Sequence, residues 1–306
     1  MNVPAKPEHR PYLFSGAVFE IGLRPMDMAQ WLDTGSDHAD FMAAKRARLN
    51  GRPPLYYQSL ERSRPAQSEL LRVVAENLLA NHGTVYSGDG PLVRDHLDGT
   101  RHNLADETQE PLEILGNLVE EDFVLFAAEE GGDIVTAASN AYTSSGRIVS
   151  CVGRNMRFAH DPVPGLNEQL GARIDRVIGN VQPGKPVVRF NWFVTPIASR
   201  LFPERSHAAN IEAAEQVAQA LVQDFRKAGE LLWLRVERQT FVRLPETGAL
   251  AFGIHTYSHP LSTVADDVEG LAAMDRLLAA YSEDRLRYGG MLATRDPIRR
   301  WIAEAS

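Results

Sequence analysis

The strongest periodic signal lies late in the chain. From Leu234 to Tyr257 the chain reads as two antiparallel strands joined at Pro245-Glu246-Thr247-Gly248, with more charge and imidazole than folding requires, and the period-two pleat sorts its residues onto two faces. With Leu244 opposite Ala249, one face collects Val236, Arg238, Thr240 and Val242 across from Tyr257, His255, Gly253 and Ala251. The small pair Gly253 and Ala251 would leave a shallow floor ringed by a cation, an imidazole and a phenol, with room for a flat ligand. Gln239, Arg235 and Glu237 point to the other face, the last two as a structural pair. A slip of one residue would exchange the faces.

Helical spacing marks other segments. Leu70, Leu71, Val74, Leu78 and Leu79 recur on one face of Ser68 to Asn81, and Leu166, Leu170, Ile174, Val177 and Ile178 do so within Gly165 to Val181. Asp27 to Asp33, with Asp27 as N-cap, and Ala39 to Leu49 also read as helices, as do His207 to Ala228, Asp266 to Tyr281 and Asp296 to Ala305. Phe123 to Phe126 and Ile134 to Ala137, joined at Gly131-Gly132, form a second hairpin, and Pro186 to Val194 is a strand. Arg147 to Val152 fits a strand or a short helix. Tight turns, not helical crossovers, join most of the strands, so the class is α+β with a mainly antiparallel sheet, and a doubly wound dinucleotide fold is disfavoured. The expected organisation is an N-terminal helical extension over 1–110, a core over 111–262 and C-terminal helices over 263–306, together one continuous globular unit.

Composition narrows the function classes. An apolar fraction of 44% over 306 residues is that of an ordinary globular chain. With 40 acidic against 32 basic residues the net charge is −8 and no basic run occurs, so neither nucleic acid nor an anionic membrane is an expected partner. No apolar stretch approaches the roughly 20 residues that span a bilayer, and Met1 to Arg10 lacks the apolar core of a signal peptide, so a cytoplasmic location is expected. Cys151 stands alone, which rules out an internal disulfide and any iron–sulfur cluster or structural zinc held by this chain's thiolates. A redox metal must then use histidine or arrive within a cofactor.

The familiar nucleotide and hydrolase motifs are missing: there is no Gly-x-Gly-x-x-Gly after a strand, no phosphate loop, no His-Glu-x-x-His and no Gly-x-Ser-x-Gly. Glu120-Glu121-Asp122 and Glu129-Glu130 read as solvated charge clusters. Of the nine histidines, His9, His38, His82, His96, His102 and His207 fall at helix ends or in polar loops, where surface positions explain them. His160 differs: Asp161-Pro-Val-Pro164 stiffens the backbone directly after it, which suits an axial metal ligand as well as a helix cap or a bond to Asp161. His255 faces the floor of the hairpin, and His259 belongs to its exit.

Several motifs in order carry a resemblance. Gly22-Leu-Arg-Pro-Met-Asp27 with Trp31-Leu32, Lys45-Arg46, Val119-Glu-Glu-Asp122, His160-Asp-Pro-Val-Pro164, Pro186-Val-Val-Arg-Phe-Asn-Trp192, Leu234-Arg-Val-Glu-Arg-Gln-Thr240, Arg243-Leu-Pro245 and His255-Thr-Tyr257 together resemble the α subunit of haem-dependent oxidative N-demethylases. The resemblance implies a PAS-like fold holding haem b. It implies oxidation of a small amine by O₂, as of dimethylamine to methylamine and formaldehyde, with electrons from NADPH through separate flavin and iron–sulfur reductase partners. Carried over, His160 is the expected iron ligand, with Arg238 and Arg189 for the propionates, since guanidinium forks match carboxylates. Gly253, Trp192 and Gln239 join the cofactor-binding set, and Tyr257, His255 and Thr240 are the expected catalytic residues. His255 is the next candidate for the iron, and Cys151 thiolate a minor one.

The chain departs from the family pattern at Ala137 to Ser145, where a Phe-Pro-Ser segment followed by Trp is expected, so the amine is left open. The alternative is a PAS-like haem sensor without turnover, which the lack of any output module disfavours. Homo-oligomerisation is also left open.

Overall fold

In the computed structural model the described residues are 7–15, 21–51, 53–130, 132–142, 148–161, 165–203 and 207–305, with only the backbone taken at 53, 159, 160, 166, 207–211 and 288. The chain opens with β1 (Arg24–Pro25), α1 (His38–Gly51), α2 (Pro53–Tyr56), β2 (Tyr57–Ser59) and α3 (Arg64–Asn81). Three short strands follow, β3 (Tyr86–Asp89), β4 (Leu92–Asp95) and β5 (Arg101–Asn103), and then α4 (Pro111–Leu118). The middle of the chain gives β6 (Asp122–Glu129), β7 (Gly132–Ser139), α5 (Met156–His160), α6 (Leu166–Gly179) and β8 (Val187–Thr195). Next come α7 (His207–Gln223), α8 (Ala228–Leu231), β9 (Trp233–Arg243) and β10 (Leu250–Pro260), and the chain closes with α9 (Val268–Ala280), α10 (Glu283–Tyr288) and α11 (Arg295–Ala305). Mixed helix and antiparallel sheet is the expected α+β class.

The main sheet runs β1-β8-β9-β10-β6-β7-β2, and every neighbouring pair is antiparallel. Both edge strands come from the N-terminal third, which the sequence reading had as helical. That third also forms a separate sheet, β3-β4-β5, whose first turn uses Gly90 at φ +59. Strands this short carry too few residues for a period-two signal, which is why they escaped notice.

Helix boundaries follow local chemistry. Pro111 opens α4 within a capping box, Glu110 and Glu113 each taking the other's backbone N–H. Asp27 caps as expected, its carboxylate accepting from Ala29 N at 2.9 Å, yet only one 3₁₀ turn follows, Met28–Gln30. The carbonyls of Gln30 and Trp31 accept instead from Arg238, and Trp31 and Leu32 turn into the core at 0% and 4% exposure. The long helix expected to reach Ala228 stops at Gln223, because Asp224 is extended and its side chain accepts from Arg226 N to start a new turn.

Cores lie on both faces of the sheet. On the first face α3 and α4 cover Phe123, Leu125, Ala137, Val242 and Ala251, while α8, α9 and α11 cover Trp192, Val194, Leu234 and Val236. On the second face α5 and α6 cover Val124, Phe126, Ala138, Phe241 and Leu250. Each large apolar side chain fully withdrawn from water contributes on the order of 1.5–3 kcal/mol. The β9–β10 loop is pinned to α3: the Glu69 carboxylate accepts from Glu246 N, Thr247 N and Thr247 Oγ1 at 2.7, 2.8 and 2.6 Å.

Candidate functional site

The hairpin register is the one the alternation predicts, with Tyr257 opposite Val236, His255 opposite Arg238, Gly253 opposite Thr240 and Ala251 opposite Val242. The face they share is filled by the protein itself. A Cβ built on Gly253 would sit 2.6 Å from Thr240 Oγ1 and 3.0 Å from the Phe123 ring, so this glycine makes room for a neighbouring side chain. Arg238 donates to Trp31 O at 2.8 Å and to Gln30 O, and its NH2 lies 3.2 Å from Met26 Sδ. Trp192, on the same face, packs edge-on against Tyr12 with ring centroids 5.8 Å apart. The Gly253→Val variant is therefore expected to lose about 1–3 kcal/mol by overpacking, with Thr240→Ala restoring part of it. Chemical denaturation measures both, and an unchanged midpoint for Gly253→Val would contradict the packing.

Below this face a buried ionisable network spans several elements. Glu120, Glu121 and Asp122 are each 1% exposed, which corrects their reading as a solvated cluster. His38, expected on the surface, is 2% exposed, its Nδ1 2.7 Å from Glu120 Oε1 and its Nε2 2.6 Å from Asp95 Oδ2. Carboxylates only accept, so both ring nitrogens donate and His38 is an imidazolium. Burial pulls its pKa down, but the two carboxylates more than offset this and raise it. Burial pushes Glu120 up, and the His38 hydrogen bond with the charges of Arg200 and His255 reverses that and holds it at about 2.

Lys45, with no exposure, donates to Val119 O, Glu120 O and Glu121 O at 2.9, 3.0 and 2.6 Å and pairs with Asp122 at 3.2 Å. His255 lies between Glu121 Oε1 at 3.2 Å and the Arg200 guanidinium at 3.1 Å. Tyr257 donates to Asp33, and His9 Nε2 lies 3.2 Å from the same phenol oxygen. Burial, and then the Asp33 carboxylate, push the phenol far above its ordinary value.

Among the described residues, two groups of His and carboxylate residues have ligand atoms within 4.8 Å of one another, Glu8, His9 and Asp33, and His38, Asp95 and Asp98. In the second, His38 is already held by two carboxylates and Asp98 by Arg46, so the members satisfy one another.

The second face is different. Arg189 stands opposite Gln239 in the β8–β9 register, so these two lie together and apart from Arg238, Thr240, Gly253, His255 and Tyr257. Arg189 is half-buried and, among the described residues, has neither a hydrogen bond nor an ion pair; burial lowers its pKa, with the Glu237 charge acting against that. Beside it, Phe241 and Phe252 stack at 4.8 Å. Around them Val187, Phe252, Ile21, Leu23, Ile148, Val152 and Leu170 are only partly covered. This is apolar surface with a free guanidinium at its margin, the surroundings that a flat apolar macrocycle bearing carboxylates requires.

Helix α5 ends at His160 over this same face, since its Met156 packs with Val124, Phe126 and Ala138. The His160 side chain and residues 162–164 lie outside the described residues. Cys151 is buried in the same cluster. Sequence reading had picked out neither Arg200 nor Asp33 as a site residue, and no local pattern marks either as one; Lys45 stood out only as part of a shared motif.

Among the described residues no helix is long and apolar enough to cross a membrane. A family model described as haem-dependent oxidative N-demethylase, alpha subunit-like, matches residues 22–299 of the chain.

Proposed function

Because the chain belongs to the haem-dependent oxidative N-demethylase alpha-subunit-like family, we propose that it oxidises an N-methylated amine with O₂ using haem b bound on the second face of its sheet. The single observation carrying the placement is Arg189, a half-buried guanidinium without a partner among the described residues, at the margin of incompletely covered apolar surface. On the first face Phe123 and Thr240 close on Gly253, and Arg238 is held by the carbonyls of Gln30 and Trp31, so the floor expected there is occupied. The central strand order β8-β9-β10-β6-β7, in which the first strand of the run lies beside the last, supports the PAS-like reading.

In this arrangement Arg189 holds a propionate by its planar fork, and Gln239 adds a polar contact beside it. Phe241 and Phe252 exclude water from the apolar wall. His160, at the end of α5 over the same face, is the proposed iron ligand. Haem, when bound, supplies the redox centre at which O₂ oxidises the N-methyl group to formaldehyde and leaves the demethylated amine. His255, Tyr257 and Thr240 then act from behind the sheet. His255 and Tyr257 fix β10 through Glu121, Arg200 and Asp33, and Thr240 packs against Gly253.

The electrons come from partner subunits, in keeping with the alpha-subunit description of the family and with a single cysteine, which cannot ligate an iron–sulfur cluster alone.

Haem titration of the purified chain should give a saturating Soret band that shifts on addition of a secondary amine, and turnover with a reductant should release formaldehyde. His160→Ala should change the iron coordination spectrum, and Arg189→Ala should weaken haem about tenfold or more, the loss of one charge-assisted contact. A colourless protein that takes up no haem would end this reading. An unchanged spectrum in His160→Ala would pass the ligand role to another residue.

A further inference from the structure

The end of the second face farther along β9 carries a buried cation whose one ion pair is long. Arg235 is 1% exposed, and among the described residues its NH1 donates to Ser199 O at 3.4 Å and its Nε has no hydrogen-bond partner. Glu237 is its ion-pair partner, the pair expected from the sequence, but at 3.9 Å from Nε it is too far to accept a hydrogen bond, and its other oxygen takes Gln239 Nε2 at 3.1 Å. Asp122, the other acid in this region, is paired with Lys45. Phe202 at 4.5 Å and Phe193 at 5.9 Å lie against the guanidinium, which holds its plane and leaves the donors on its edge.

The register sets Ser258 opposite Arg235 and Thr256 opposite Glu237, and both hydroxyl oxygens are buried without a partner. A guanidinium Nε and two hydroxyls, none of them hydrogen-bonded, thus occupy adjoining positions on one face. Buried polar groups are normally satisfied, so a shared set of free donors calls for an acceptor, and beside a guanidinium whose one ion pair is as long as 3.9 Å an anionic acceptor gains more than water. The free Nε edge matches the two oxygens of a carboxylate side-on. Half-buried Ser258, Phe193 and Glu237 connect the group to the surface.

We propose that Arg235, with Ser258 and Thr256, binds the carboxylate of the substrate, so that the amine oxidised is an N-methylated amino acid and not a simple dialkylamine. The substrate class rests on the N-demethylase reading; the carboxylate site itself does not.

The full chain is titrated calorimetrically, with and without haem, using acetate, N-methylglycine, dimethylamine hydrochloride and sodium chloride at constant ionic strength. Acetate and N-methylglycine should bind saturably and raise the melting temperature, and dimethylamine hydrochloride should do no more than sodium chloride. N-methylglycine binding should survive haem loading. Ser258→Ala and Thr256→Val should each weaken it severalfold, and Arg235→Lys, which keeps the charge and loses the fork, about tenfold or more, with folding verified by circular dichroism.

Absence of saturable carboxylate binding overturns the proposal, as do equal binding by Arg235→Lys and the native chain or an equal shift with chloride alone. Loss of acetate binding on haem loading would assign Arg235 to a haem propionate and overturn it as well. Carboxylate binding in a chain that never takes up haem supports the site and rejects the N-demethylase reading instead.

Discussion

Replacing Lys45 by Met is expected to lower the free energy of unfolding by about 3–5 kcal/mol, the largest single loss at any position outside the apolar cores. The side chain is fully buried and satisfies three consecutive carbonyls, those of Val119, Glu120 and Glu121, while neutralising Asp122. Burial pulls the ammonium down and pushes the Asp122 carboxyl up, and the charge of each opposes that shift in the other. Without Lys45 the segment entering β6 keeps its carbonyls in a dry site with no donor, and Asp122 must take a proton. Adding Asp122→Asn to Lys45→Met should recover part of the loss, since the double change removes the stranded charge. Urea denaturation at neutral pH measures both variants. A loss under about 1 kcal/mol for the single variant would show that the ammonium is not what holds this segment.

The second large effect is on the pH profile of stability. Glu120 has its ordinary value at 4.5 and about 2 in the fold, so its contribution is complete above pH 4.5 and disappears as pH falls from there toward 2. The shift corresponds to on the order of 3 kcal/mol, shared with the groups that cause it. His38 acts in the opposite direction. Its folded value is raised above 6.5, so its contribution is complete below pH 6.5 and is lost as pH climbs through the raised value.

The native chain should therefore melt highest near pH 6.5, with an alkaline decline that His38→Gln removes while lowering the plateau. His9, His102 and His259, pulled below their ordinary value by burial, His102 to about 4, weaken the fold only as pH falls below 6.5 and cannot imitate the alkaline decline. Melting temperatures of the native chain and His38→Gln from acid to alkaline pH decide this. A native profile still rising from pH 6.5 to 8, with the same slope in His38→Gln, would contradict the imidazolium assignment.

The hairpin was legible because β9 and β10 are joined by a short turn closed by Leu244 N to Ala249 O, so local chemistry fixed both register and face. The helices over Arg64–Asn81 and Leu166–Gly179 were legible for the same reason, a periodic apolar stripe. Adjacent carboxylates look alike whether they end in water or in a buried network. Glu120 is buried because His38, Arg200 and His255 reach it from elements 82, 80 and 135 positions away, and nothing near residue 120 records that. Arg238 and Arg189 illustrate the same limit. Both read as cations on strands beside a ligand, but Arg238 closes on the carbonyls of Gln30 and Trp31, whereas Arg189 has no such partner among the described residues.

The sequence by itself determined the α+β class, the hairpin register and, through motifs kept in order over most of its length, the family. These depend on the alternation of neighbouring residues or on their order, which a linear chain carries directly. Only the tertiary structure decided that the floor under Arg238, Gly253 and His255 is filled by the protein's own side chains. That outcome depends on side chains such as Phe123, Trp31 and Arg200 arriving from distant elements, and solvent is excluded or admitted only once all of them have packed.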